Sequence, residues 1–153
     1  MDLRNIKLGT LYIVATPIGN PMDITLRAIE ILKSADAVIC EDRKIGSKLA
    51  KSIGIEIKEW IVVSEHNENR SGDEIQEQLL SGKNLALISD CGTPVFSDPG
   101  ARLIERALGI GAKVTPIPGP SSLMATLSIL DASLPKFYFA GFPPRQPQDR
   151  EKM

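Results

Sequence analysis

The stretch that decides the fold is Leu85-Ala86-Leu87-Ile88-Ser89-Asp90-Cys91-Gly92-Thr93-Pro94-Val95-Phe96-Ser97-Asp98-Pro99-Gly100-Ala101. Its first four residues are all apolar. A strand that alternates has one wet face, whereas an unbroken apolar run suits a strand covered on both faces, as in a parallel sheet. Ser89 to Pro94 is dense in turn residues and ends the strand. Asp98-Pro99-Gly100 opens an apolar-periodic segment that reads as a helix to about Leu108. Ligands of open parallel α/β sheets sit just beyond the carboxyl ends of the strands. The Ser89–Pro94 loop is therefore a candidate half-site. A plain strand-to-helix connection with no ligand explains the same residues equally well.

Outward from this stretch, strand and helix alternate. On the N-terminal side, Ser71 followed by Glu74 is a capping-box signature for a helix to Leu80, stopped at Gly82. Trp60–Val63 reads as the strand before it. Further back, Leu11–Ala15 reads as a strand ended by Thr16-Pro17-Ile18-Gly19-Asn20-Pro21, where two prolines forbid regular structure. Asp23 is the expected N-cap of a helix over Ile24–Ala35. Ala37–Cys40 is the next strand, and a short helix over Ser47–Ile53 closes at Gly54. On the C-terminal side come strand Lys113–Ile117, the turn Pro118-Gly119-Pro120-Ser121-Ser122, a helix to about Leu130, and a last strand over Phe137–Ala140. The pattern predicts an α/β domain: a mostly parallel sheet of five to six strands with helices on both faces. Residues 9–142 form that domain. Residues 143–153, polar and proline-rich, read as a linker or tail.

Composition narrows the function. The chain has 153 residues, 42% hydrophobic, which suffices for one packed core. Net charge is −1, from 18 basic and 19 acidic residues, so the protein is not coated in positive charge for non-specific nucleic-acid binding. Aromatics make up 5%, too few to suggest a base-stacking platform. Cys40 and Cys91 stand alone, with no CxxC and one histidine, which disfavours a zinc site and fits reduced thiols. No run approaches membrane-spanning length. A soluble cytoplasmic protein is the expectation.

The predicted strand ends carry TPIGN, EDRK, SEHNE, SDCGTP and PGPSS. If the strands are parallel, all five gather on one edge. Neither GxGxxG nor GxxxxGK[ST] occurs, which disfavours a dinucleotide fingerprint and a Walker loop. Gly19, Gly92 and Gly119 lie beside or near prolines, in turns that let backbone approach a ligand while holding a fixed shape. Ser121 and Ser122 stand where a helix start offers free N–H groups to an anion, although simple N-capping by Ser121 explains them too.

Taken in order, LYIVATPIGN, DITLRAIEIL, ED-R, HNE, LISDCGTPVFSDPG, PIPGPSS and FAGFPPR make the chain resemble, from about Gly9 to Arg145, the first half of the ribosomal small-subunit methyltransferase I family within the tetrapyrrole methylase superfamily. The resemblance implies S-adenosylmethionine as methyl donor and the 2′-hydroxyl of a cytidine in small-subunit rRNA as acceptor. It also implies small-subunit rRNA or the 30S subunit as partner, and a homodimer. Carried over by position, it assigns the cofactor to Pro17, Ile18, Gly92, Thr93, Pro94, Phe96, Ser121 and Ser122. Glu41, Asp42, Arg43, His66 and Asn67 fall to the substrate. The family pattern Glu-Asp-Thr-Arg lacks its threonine here, since Arg43 follows Asp42 directly, and this leaves the acceptor nucleotide open. The family also has a second domain of similar size, so the chain reads as an N-terminal half. Alone it is expected to bind the cofactor weakly and not to turn over.

Transfer from a sulfonium mainly requires alignment of oxygen, carbon and sulfur. A ribose hydroxyl is a poor nucleophile, and a positioned base would add about 10²–10⁴-fold. Asp42, His66, Glu68 and Asp90 are the candidates, His66 having the most suitable ordinary pKa; a lone histidine after a strand is more often a turn or substrate-orienting residue, and a base from outside this chain, or none, is the expectation over His66. Lys44, Lys48 and Lys51 share one helical face beside Arg43, and would either hold RNA phosphates or simply be solvated. A tetrapyrrole or other small acceptor, or an inactive binding or dimerisation module, are the other readings of the chain.

Overall fold

The computed structural model describes residues 7–64, 67–95, 100–144 and 146–151. Five strands form one sheet: β1 (Thr10–Val14), β2 (Ala37–Cys40), β3 (Trp60–Val62), β4 (Leu85–Ile88) and β5 (Lys113–Ile117). The spatial order is β3-β2-β4-β1-β5, and every pairing between named strands is parallel. The apolar run of the opening stretch is thus the middle strand. Leu85 to Ile88 lie opposite Leu11 to Val14 on one side, and Leu85 to Leu87 lie opposite Ala37 to Ile39 on the other. All four β4 residues are buried, as the unbroken apolar run predicts.

Helices α1 (Leu26–Ser34), α2 (Arg43–Ser52), α3 (Glu68–Leu80) and α4 (Ala101–Gly109) cover the sheet. Two separate cores result. Leu11, Ile39, Leu85 and Leu87 pack with Ile75 and Leu79 of α3 and Leu103 and Ala107 of α4. On the other face Val14, Val38, Ala86 and Ile88 pack with Ala28 and Leu32 of α1. Connections running towards β3 place their helices on one face and returning connections use the other, as a single crossover hand demands. β5 closes one edge and contains Pro116, tolerable there because an edge strand has one unpaired side.

Several expected boundaries shift. Thr25 caps α1, its Oγ1 accepting from the Ala28 amide, while Asp23 lies in a 3₁₀ turn (Pro21–Asp23) capped by Asn20. α2 begins at Arg43, four residues before the expected start, because Asp42 is its N-cap: Asp42 Oδ1 accepts from the Lys44 amide at 2.6 Å. α3 begins at Glu68, so Ser71 lies inside the helix; its hydroxyl donates to the Val62 carbonyl instead of capping. No strand forms over Phe137–Ala140, and the sheet has five strands. A strand needs a partner ladder, and Phe137 and Tyr138 are exposed, with none beside them among the described residues. α5 (Ser122–Ser128) is shorter than expected, and a short α6 (Pro147–Arg150) lies within the predicted tail.

Candidate functional site

Because the sheet is parallel, the turns after all five strands emerge at one edge. The turns after β1, β4 and β5 are physically tied. Thr16 and Gly92 form an antiparallel bridge, Thr16 N–H donating to Gly92 O at 2.8 Å and Gly92 N–H to Thr16 O at 3.1 Å. The buried Thr16 hydroxyl lies 3.2 Å from Ser89 O and 3.3 Å from Gly92 O, and the Ser89 hydroxyl donates back to Cys91 O and Gly92 O. Thr93 Oγ1 donates to Pro120 O at 3.2 Å, which joins the β4 turn to the β5 turn. Gly92 has φ +80, and a Cβ there would stand 3.4 Å from Ile18 Cγ2, so a side chain would be both strained and crowded. Ile18, Thr93 and Ser121 therefore share one rim.

Among the grooves that the described residues form on this rim, two share Cys91. One, of about 500 Å³, is lined by Cys91, Gly92, Thr93, Ser121, Ser122 and Thr126, with Leu123, Phe139 and Phe142 as its apolar wall. The two phenylalanine rings meet edge to face, 6.3 Å between centroids. The other, of about 330 Å³, runs between α2 and the Pro17–Pro21 segment, with Asp90 and Cys91 at its floor. Ser121 also caps α5, its Oγ accepting from the Met124 amide.

The structure separates the sequence candidates. Pro17 and Ile18 line the α2-side groove; Gly92, Thr93, Ser121 and Ser122 line the larger one. Pro94 is buried and lines neither groove. Phe96, His66 and the Glu68 side chain lie outside the described residues. Glu41 and Arg43 are exposed beside the rim. Asn67 closes its own loop: Oδ1 accepts from the Ser64 amide at 2.7 Å and Nδ2 donates to Val62 O at 3.0 Å. Asp42 is engaged in capping α2. Asp90 is the described candidate whose residue lines a groove. Burial raises its pKa; the Asp42 backbone amide opposes that and the Asp42 charge adds to it. Cys40, at the end of β2, is pushed up to about 11, first by burial and then by the nearby Asp90 and Asp42 charges. Sequence reasoning misses Thr126, Phe139 and Phe142 as groove residues. Phe139 lies in the Phe137–Ala140 run that reads as a strand, while Thr126 is one helical turn beyond Ser122, a spacing that could have flagged it. Among the described residues no cluster of three or more His, Cys, Asp or Glu is placed to hold a metal, and no helix is long and apolar enough to cross a membrane.

A doubly covered parallel sheet with its β1, β4 and β5 turns laced around a groove has the architecture in which open α/β sheets hold ligands beyond their strand ends. The chain belongs to the tetrapyrrole methylase family: residues 10–149 match the family model described as Tetrapyrrole (Corrin/Porphyrin) Methylases. It is 45% identical over 145 residues to a protein of Neisseria meningitidis serogroup A named ribosomal RNA small subunit methyltransferase I, covering 95% of this chain and 50% of that relative. A protein of the same name from Bacillus subtilis is 44% identical over 146 residues, with 95% and 49% covered. The chain thus spans about half the length of the curated relatives it matches. Among solved structures it is similar to a uroporphyrin III C-methyl transferase from Thermus thermophilus, with TM-score 0.61, 22% identity and coverage of 77% of this chain and 52% of that one. It is also similar to a putative cobalamin synthesis related protein (CobF) from Corynebacterium diphtheriae, with TM-score 0.59, 23% identity and coverage of 85% and 62%. At these identities the likeness is one of fold.

Proposed function

We propose that this chain is the donor-binding domain of an S-adenosylmethionine-dependent methyltransferase that modifies the ribose 2′-hydroxyl of a cytidine in small-subunit rRNA. The observation that carries the reading is the lacing of the β1, β4 and β5 turns around the larger groove. Its volume of about 500 Å³ suits a small-molecule pocket, for which about 300–1,000 Å³ is usual. The lining fits the donor: Leu123, Phe139 and Phe142 offer apolar cover, and Thr93, Ser121 and Ser122 bring hydroxyl-bearing side chains to the same groove. When bound, S-adenosylmethionine supplies an activated methyl group. The work of the chain is to position: Gly92 leaves the floor open, and the Thr16–Ser89 hydroxyls hold that floor in one shape.

The names of the relatives at 41–47% identity support the rRNA acceptor, whereas the tetrapyrrole enzymes at 22–23% share only the architecture. On this reading the partner is small-subunit rRNA or the 30S subunit, and the place of work the cytoplasm. Exposed Ile129, Phe137, Tyr138 and Phe142 support an apolar contact surface, consistent with a homodimer. Cys91 lines the groove and supplies the test. Alkylation of Cys91 by iodoacetamide should slow severalfold in saturating S-adenosylmethionine. An unchanged rate overturns the assignment of the groove.

A further inference from the structure

We propose that the second groove, between α2 and the Pro17–Pro21 segment, receives the acceptor RNA strand, with Lys48 holding a backbone phosphate. The inference rests on the methyltransferase reading above and adds where the acceptor lies. In-line transfer requires the donor and acceptor sites to adjoin and open onto one another, with the reacting oxygen and carbon about 3–3.5 Å apart. Cys91 lines both grooves, and Ile18 lines the α2-side groove while facing the Cβ position of Gly92. The two grooves therefore adjoin at the Ile18–Cys91 wall. A third groove, of about 470 Å³ and bordered by α5 and the Asp23–Thr25 segment, also meets the first, at Ser121, but its lining carries no cation to hold a phosphate.

The lining selects the occupant. Ile45, Lys48, Leu49 and Ser52 are spaced at i, i+3, i+4 and i+7, so one side of α2 faces the groove. Pro17, Ile18, Ile45 and Leu49 make an apolar bed for a sugar and the face of a base, and Lys48 is the cation on its wall. α2 carries Arg43, Lys44, Lys48 and Lys51 and no acidic residue, and all four cations are exposed. Among the described residues Lys48 has no ion-pair partner. Asp90 stands on the same groove from the β4 side. It repels phosphate, and so sets the strand with its backbone on α2 and its ribose towards the wall shared with the donor. Of the helix's lysines, only position 48 both belongs to the basic face and lines the groove, which separates it from a merely solvated charge.

The test uses a labelled single-stranded, cytidine-containing RNA oligonucleotide and fluorescence anisotropy across a salt series. Lys48→Glu should weaken binding about tenfold and flatten the log–log salt slope by about 0.7, the value for one phosphate contact on a single strand. Lys33→Glu is the control: the same charge change on an exposed lysine in the last turn of α1, at the opposite edge of the sheet. It should leave the slope unaltered. Equal effects of the two variants, no effect of either, or no RNA binding by the unchanged chain overturns the acceptor groove. Cys91 protection by S-adenosylmethionine is measured in parallel. Protection retained while Lys48→Glu binds RNA normally sinks the acceptor placement alone; protection lost in the unchanged chain sinks the methyltransferase reading itself.

Discussion

Cys40 ends β2 and Cys91 lies in the turn after the neighbouring β4, yet the two differ in chemistry. Cys40 is 2% exposed and its thiol, pushed up to about 11, is protonated at neutral pH; Cys91 is exposed. Since the thiolate is the nucleophile, the folded chain should take up one equivalent of a thiol reagent rapidly and the second only on unfolding. Rapid modification of both in the native state would contradict the burial of β2. Asp90 makes a pH prediction. Its pKa is raised on folding, so the folded state holds its proton more tightly than the unfolded chain does. Its contribution favours the folded state at pH below the ordinary carboxylate value and is lost as pH rises through the raised folded value. The stability of the native chain relative to Asp90→Asn should therefore decline as pH climbs through the carboxylate range, read from urea midpoints. A difference that is flat or rising with pH would contradict it. The role of Asp42 is only half legible at this scale. Glu-Asp-Arg-Lys looks like a charged turn, but an Asp before a helix is also a good cap, and capping is where its carboxylate is engaged.

Among the elements, the strands are legible and the helix starts less so. β2 and β4 fall on the residues their apolar runs mark, because burial on both faces leaves no polar position to mislead, and the edge strand β5 also falls where expected. Helix starts depend on more than a capping signature: Thr25, not Asp23, caps α1, and α3 starts at Glu68 with no side-chain cap, so Ser71 falls inside it. Phe137–Ala140 has strand-like residues yet forms no strand, since pairing depends on neighbours and neighbours are not local information. The Thr16 clamp joins β1 to the β4 turn, and replacing its hydroxyl isosterically with Thr16→Val should cost about 1 kcal/mol of unfolding free energy, the net worth of an ordinary hydrogen bond. The same change should loosen the groove floor and weaken donor binding. Unaltered stability in denaturant titration would show that the hydroxyl is not engaged. Gly9 enters β1 beneath the α3–β4 turn, where a Cβ would overlap the Lys83 carbonyl oxygen. Backbone must move to admit it, so Gly9→Ala should destabilise by about 1–3 kcal/mol, the usual range for overpacking. A neutral result would contradict the packing of that turn.

For the whole molecule, parallel topology converts five separate turns into one rim, and the alternation of strand and helix along the chain makes that convergence readable in advance. The strand order and the pairwise lacing are not readable in advance, because both arise from contacts such as Thr16 with Gly92 and Thr93 with Pro120, far apart in sequence. The groove beside α2 is likewise a product of that helix packing beside the Pro17–Pro21 segment. The central claim is that the laced groove holds the methyl donor, and amide chemical-shift mapping on titration with S-adenosylhomocysteine tests it most directly. The account predicts shifts concentrated at Gly92, Thr93, Ser121, Ser122 and Thr126, with Lys33, Lys58 and Lys83 at the far edge of the sheet unmoved. Shifts that spare the groove, or that scatter over both edges, would contradict it.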